Sequence, residues 1–376
     1  MRLERILAFC AVAAVAVIWS APALAGPAPG NLFLADFNGD DKEDIARQGP
    51  ANIQVNHLDG TISIGTGSYA NGGGAFEIRA VGHADTNNNA DIAVQGAGTI
   101  RVDHTNATGT GADASSFIGD GGGSWQTRDM CDVDGDGIDE LIAEGTGPAI
   151  GAVRITELAG ALTHSFIGTA GGLWEYQYCL DANGDGEQDL YFNGDGAAQG
   201  TSRTNLSGTS TAVFYGQGGG IWVPALSGDT NADGIDDLLD TGTSSASGFN
   251  RIRLLDNTGN DSGTAGFISD GGGTLALMTI GDHNGDGRDD MGHAGASSNR
   301  ITFMAADGIT GQSAFFPPNG GGSILSIAGD TDDDGNADLV SAYVGGSEDI
   351  FLQTVVSEAI GGVGTLPANG RILFVP

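Results

Sequence analysis

Asp132-Val133-Asp134-Gly135-Asp136-Gly137-Ile138-Asp139-Glu140 carries side-chain oxygens at its first, third, fifth and ninth positions and glycine at its sixth. Oxygens at that spacing can wrap a hard cation of calcium size, which takes six to eight of them, and glycine allows the sharp turn. The segment recurs along the 376-residue chain as DFNGDDKED from Asp36, DTNNNAD from Asp85, DANGDGEQD from Asp181, DTNADGIDD from Asp229, DHNGDGRDD from Asp282 and DTDDDGNAD from Asp330. Successive copies lie 49, 47, 49, 48, 53 and 48 residues apart. A glycine cluster keeps step about eleven residues ahead of most of them, followed by Phe76, Trp125, Trp174, Trp222, Leu275 or Ile324.

A period near 48 residues is that of propeller blades with four strands each. In the fifth repeat the strands read as Ile221 to Leu226, Asp237 to Asp240, Arg251 to Leu255 and Ala265 to Ser269, bounded by Gly, Asn, Asp and Ser. A sheet with two apolar faces must bury both, and a ring of such sheets does so while protecting its edges. The expected fold is therefore all-β: one seven-bladed β-propeller over residues 26 to 376, with repeats starting near 31, 76, 124, 173, 221, 274 and 323. Arg371 to Val375 can be the fourth strand of the last blade or an extra first strand that clasps the ring.

By the nine-residue template, six loops supply a full ligand set, the seventh position offering its backbone carbonyl. The sets are Asp36, Asn38, Asp40, Lys42 and Asp44; Asp132, Asp134, Asp136, Ile138 and Glu140; Asp181, Asn183, Asp185, Glu187 and Asp189; Asp229, Asn231, Asp233, Ile235 and Asp237; Asp282, Asn284, Asp286, Arg288 and Asp290; and Asp330, Asp332, Asp334, Asn336 and Asp338. The second loop reads as two residues short, keeping Asp85, Asn87 and Asp91, and is expected to bind weakly or not at all. Asp, Asn and Gly also suit bare turns, but twenty carboxylates crowded into six loops repel one another unless a cation intervenes. About six Ca²⁺ ions are expected.

The repeated D-x-[DN]-x-D-G-x-x-D with a following apolar pair resembles the FG-GAP and VCBS repeats of integrin-alpha-like seven-bladed propellers, over nearly all of residues 31 to 376. The resemblance implies calcium in the loop between the first and second strands of a blade, with ligands bound more often on the opposite face. Partners vary widely within such a family, so the resemblance specifies fold and ion before function.

Arg2 and Arg5, the apolar stretch Ile6 to Trp19 and Ala23-Leu24-Ala25 read as a cleaved signal peptide over 1 to 25, so the product is expected to be secreted, periplasmic or on the cell surface. No later apolar run approaches a membrane span. With 48 acidic against 14 basic residues and a net charge of -34, the chain is unsuited to nucleic acid. Cys131 and Cys179, near equivalent places in adjacent repeats, are candidates for a disulfide. Trp125, Trp174 and Trp222 begin three consecutive blades and read either as wedges between blades or as ligand anchors. The connections 145–151, 193–200 and 242–248 are read as sharing little length or composition, which directs an expected ligand site to blades three to five. The expected function is an extracellular ligand-binding or adhesion module with a protein or carbohydrate partner. A polysaccharide lyase or hydrolase working in the channel and a purely structural surface or matrix protein are the alternatives, since no nucleophile or metalloprotease motif occurs.

Overall fold

Short runs of apolar and β-branched residues closed by Gly, Asn or Asp form strands, and in repeat three these are Trp125–Cys131, Glu140–Gly145, Ala152–Glu157 and Thr163–Gly168. They pair antiparallel in chain order as a meander. Burial falls outward across it: Glu140–Gly145 is almost wholly buried and Thr163–Gly168 largely exposed. The computed structural model describes residues 32–376 apart from 61, 97, 208–210, 297, 317–322, 344–348, 354–369 and 374–376. The expected signal peptide lies outside the described residues.

The same four-stranded sheet recurs over residues 32–70, 76–119, 125–168, 174–216, 222–269 and 275–316. In the fifth the strands are Trp222–Gly228, Asp237–Gly242, Phe249–Leu255 and Asp261–Ser269. The core lies between successive blades rather than within them. Phe37, Ile53 and Tyr69 of the first meet Ile78, Ile92 and Val94 of the second. Cys131, Ile142 and Val153 meet Tyr176, Leu190 and Phe192, and Leu239 and Ile252 meet Met291 and Met304. Each blade thus buries both faces against its neighbours.

The expectation of seven equivalent blades is corrected to six complete ones, 32–316, plus a closing sheet of different build. That sheet pairs Ser323–Gly329, Asp338–Tyr343, Asp349–Gln353 and Gly370–Leu373. Its last strand is reached across residues 354–369, where blade six uses only 305–310. Gly370–Leu373 pairs with Asp349–Gln353 and is therefore a fourth strand, not an extra first strand.

A chain of backbone hydrogen bonds joins the acidic loops around the ring. In each, the eighth loop residue donates its N–H to the first-position carbonyl of the loop before it: Ala90 to Asp36 (2.7 Å), Asp139 to His83 (2.7 Å), Gln188 to Asp132 (2.8 Å), Asp236 to Asp181 (2.8 Å), Asp289 to Asp229 (2.8 Å) and Ala337 to Asp282 (2.6 Å). Glu43 N–H to the Asp330 carbonyl (2.9 Å) closes the circle. Strand direction puts the acidic loops on one face and the glycine turns on the other.

Candidate metal loops and an aromatic rim

The first-position aspartate organises each complete loop by gathering backbone N–H groups. Asp282 Oδ1 accepts from Asn284 (3.2 Å), Gly285 (2.8 Å) and Asp286 (3.1 Å), and its Oδ2 accepts from Gly287 (2.7 Å). Asp36, Asp132, Asp181, Asp229 and Asp330 do the same with small variations. The turn demands left-handed backbone at the fourth and sixth positions. Glycine fills most of these, but Asp41 (φ 67°), Ala232 (φ 61°) and Asp333 (φ 58°) adopt it too. The fifth-position carboxylate accepts the seventh N–H, as Asp136 does from Ile138 (2.9 Å).

The ninth-position acid points inward. Asp44, Asp189, Asp237, Asp290 and Asp338 are fully buried. Each accepts the second-position N–H, as Asp290 does from His283 (3.2 Å). Burial above all, with nearby acids adding to it, pushes Asp290 up to about 8, Asp237 to about 7 and Asp189 to about 6. Glu140 rises to about 8 for the same reasons.

Several observations fit these loops to a cation. Oxygens of Asp132, Asp134 and Asp136, and of Asp330, Asp332 and Asp338, lie within 4.8 Å of one another. Buried oxygens of Asn38, Glu140, Asp332 and Asn336 have no hydrogen-bond partner, as expected of acceptors that face a positive charge.

Loop two is not short, which corrects the sequence reading. Ala84 N–H bonds to Asp91 Oδ2 (3.0 Å), the bond made elsewhere from second to ninth position, and the Asp139 N–H reaches the His83 carbonyl. His83 therefore holds the first position, Asp85 the third and Asn87 the fifth. Without a first-position carboxylate the loop has no left-handed residue. His104 Nδ1 stands 3.4 Å from Asp91 and 3.5 Å from Asp85, while its Nε2 contacts Ser116 Oγ at 2.8 Å. A cleft of about 480 Å³, lined by Asp85, His104, Asp113 and Leu158, leaves the ring open to water.

The hydrogen bond and charge of Asp91, followed by the charge of Asp85, raise the His104 pKa. A folded pKa above the unfolded value of about 6.5 means that this imidazolium stabilises the fold fully below that pH and loses its contribution as pH rises through the folded pKa. Melting curves of wild type and His104→Gln should therefore differ most near pH 5.5 and converge in alkali. A gap that widens with pH would refute the imidazolium.

Cys131 and Cys179 are bonded, with Cα atoms 6.5 Å apart, and tie blades three and four together beneath their loops.

On the other face the three tryptophans are half-buried, each beside an arginine and a phenylalanine of its own blade. Trp125 lies 5.0 Å from the Arg154 guanidinium carbon and 5.7 Å from Phe166; Trp174 lies 5.1 Å from Arg203 and 5.7 Å from Phe214; Trp222 lies 4.8 Å from Arg251 and 5.6 Å from Phe267. Phe76 and Arg101 repeat the contact at 4.8 Å. The arginine and outer phenylalanine face each other across the third and fourth strands in five consecutive blades: Arg101 and Phe117, Arg154 and Phe166, Arg203 and Phe214, Arg251 and Phe267, Arg300 and Phe315. Most of these arginines are held by the carbonyl that ends the preceding blade, as Arg154 is by Gly119 (2.9 Å) and Arg203 by Gly168 (2.9 Å). The five phenylalanines are 58% to 62% exposed. Sequence reading passed them over, although a phenylalanine four or five residues before each of the last five glycine clusters is a visible signal.

The connections expected to vary do not. Gly147–Ala149, Gly196–Ala198 and Ser244–Ala246 form the same 3₁₀ turn, each entered from extended backbone and left through Gly151, Gly200 or Gly248 at positive φ. One backbone shape serves three sequences because the positions of special φ are kept.

Among the described residues no helix is long and apolar enough to cross a membrane. No family profile matches the chain, and no curated protein matches it. Solved structures do. A lectin of Agrocybe aegerita, solved for its recognition of non-reducing terminal N-acetylglucosamine, matches at TM-score 0.59 and 17% identity, over 76% of this chain and 79% of that one. The β-propeller domain of Cps50 (Swd1) from Myceliophteria thermophila matches at TM-score 0.57 and 8% identity, over 89% and 98%. The Dos1 propeller matches at TM-score 0.52 and 10% identity, over 84% and 75%. At such identities the likeness shows the fold alone. With the six complete sheets, it establishes an all-β propeller built from four-stranded antiparallel blades.

Proposed function

We propose that this protein is an exported, calcium-clipped β-propeller that binds carbohydrate at several equivalent stations on its rim. The observation that carries the reading is the fivefold row of exposed phenylalanines, each seated beside an arginine that its neighbours hold in place. An exposed aromatic face stacks on the C–H face of a sugar ring, and a fixed guanidinium donates to its hydroxyls. One station binds weakly; several on one rigid ring gain avidity of about 10² to 10⁴ on a multivalent glycan. The likeness to a lectin supports the same ligand class. Signal-peptide features and calcium loops suit an extracellular setting, where calcium sites of about 10⁻⁴ to 10⁻³ M are filled.

The test is a glycan array probed in calcium with wild type and with the triple variant Phe166→Ser, Phe214→Ser, Phe267→Ser. The replaced side chains are exposed, so the melting temperature should hold while retention on glycans falls at least tenfold. Undiminished retention, or retention of wild type only on protein ligands, would refute the carbohydrate reading.

A further inference from the structure

On the third strand of every blade, one residue stands opposite the ninth loop position. The register makes it His57, His104, Glu157, Leu206, Leu254 and Phe303 in blades one to six. Among these, blade three alone supplies a carboxylate.

The ninth-position acid of the other five blades uses both oxygens on backbone. One accepts the second-position N–H. The other accepts an N–H from the third strand or, in blade four, from just beyond its end: Leu58 to Asp44 (2.8 Å), Thr105 to Asp91 (2.6 Å), Ser207 to Asp189 (2.6 Å), Leu255 to Asp237 (3.0 Å) and Met304 to Asp290 (2.7 Å). Glu140 is longer by one methylene. Its Oε2 keeps the first bond, from Val133 at 2.9 Å, but its Oε1 makes no second one and is buried without a partner in a residue only 2% exposed. Oxygens of Asp134, Glu140 and Glu157 converge within 4.8 Å of one another. An orphaned buried carboxylate oxygen facing two more carboxylates costs more than it returns unless a cation joins them.

We propose that Glu157 is a further ligand of a divalent cation in loop three, completing a five-carboxylate set with Asp132, Asp134, Asp136 and Glu140 that makes this the tightest of the cation loops. The inference rests on the calcium reading of the loops. It adds a ligand from outside the nine-residue segment, and affinity in such sites follows the number of charged ligands. Glu157 keeps one oxygen for this role, since only its Oε1 is engaged, by the Ala159 N–H at 2.9 Å.

The experiment is a calcium titration of the decalcified full chain against a chromophoric chelator, comparing wild type, Glu157→Gln and Glu77→Gln. Glu77 lies on the first strand of blade two beside Arg79, outside every acidic loop, so its replacement makes the same charge change without touching a candidate ligand. Glu157→Gln should weaken the tightest site about tenfold or more and leave the number of sites unchanged, and Glu77→Gln should leave that site as it is. An unaltered tightest constant in Glu157→Gln, or equal losses in both variants, overturns the role of Glu157 while calcium binding by the other loops stands. Wild type that takes up no calcium overturns the calcium reading itself. Melting temperatures of the variants in excess chelator should match wild type, and a drop there would mark Glu157 as structural instead.

Discussion

Excess chelator should lower the melting temperature of this protein by a wide margin, and millimolar calcium should restore it. Each loop that binds an ion only when folded adds RT ln(1 + [L]/Kd), about 2.7 kcal/mol at a hundredfold excess over Kd, so several filled loops dominate the stability of the ring. The physical source is the inward ninth-position acid. Asp237, Asp290 and Glu140 are buried beside other carboxylates, and their raised pKa values record the cost that coordination removes. Asp185→Ala in loop four should lose much of the calcium response, whereas Asn87→Ala in loop two should lose none, because His83 leaves that loop without its organising carboxylate. Identical melting in calcium and in chelator, followed by calorimetry, would refute the clip.

Replacing Asp240 by alanine should cost about 3 to 5 kcal/mol in urea unfolding, the penalty for leaving a buried charge without its partner. Asp240 is fully buried and accepts from Arg251 at 2.7 Å and 3.0 Å and from Gln217 at 3.3 Å, and Arg253 stands 3.2 Å away with 2% of its surface exposed. Two guanidinium groups from one strand share this one carboxylate at the junction of blades four and five. Asp113→Ala, on the exposed fourth strand of blade two, is the control and should cost little. A loss for Asp240→Ala below about 1 kcal/mol would show that water reaches the arginines once the carboxylate has gone.

Much of this architecture was legible in residue spacing. A loop at a constant period, with a glycine cluster in fixed phase, specified four short strands per repeat and placed Asp237 to Asp240 and Arg251 to Leu255 within strands that match. Position within the loop was less legible where a residue type changed. Reading Asp85 as the first position looked natural because aspartate holds it in the six other copies, and the bonds from Ala84 to Asp91 and from Asp139 to the His83 carbonyl reveal that His83 occupies it. The outer phenylalanines were overlooked because tryptophan attracts attention, whereas burial decides which aromatic meets solvent: the arginine and outer phenylalanine lie against Trp125, Trp174 and Trp222, and the phenylalanine is left outside.

By itself the sequence determined the repeat, the strands and the candidate ligands in each acidic loop, because those depend on residues close along the chain and on local turn chemistry. Tertiary structure alone decided what crosses between strands and blades. It set His104 between Asp85 and Asp91, brought Glu157 opposite Glu140, joined Cys131 to Cys179, and made the last strand a partner of Asp349–Gln353. These pairings span many residues, and their register is chosen by how whole faces pack rather than by any local signal.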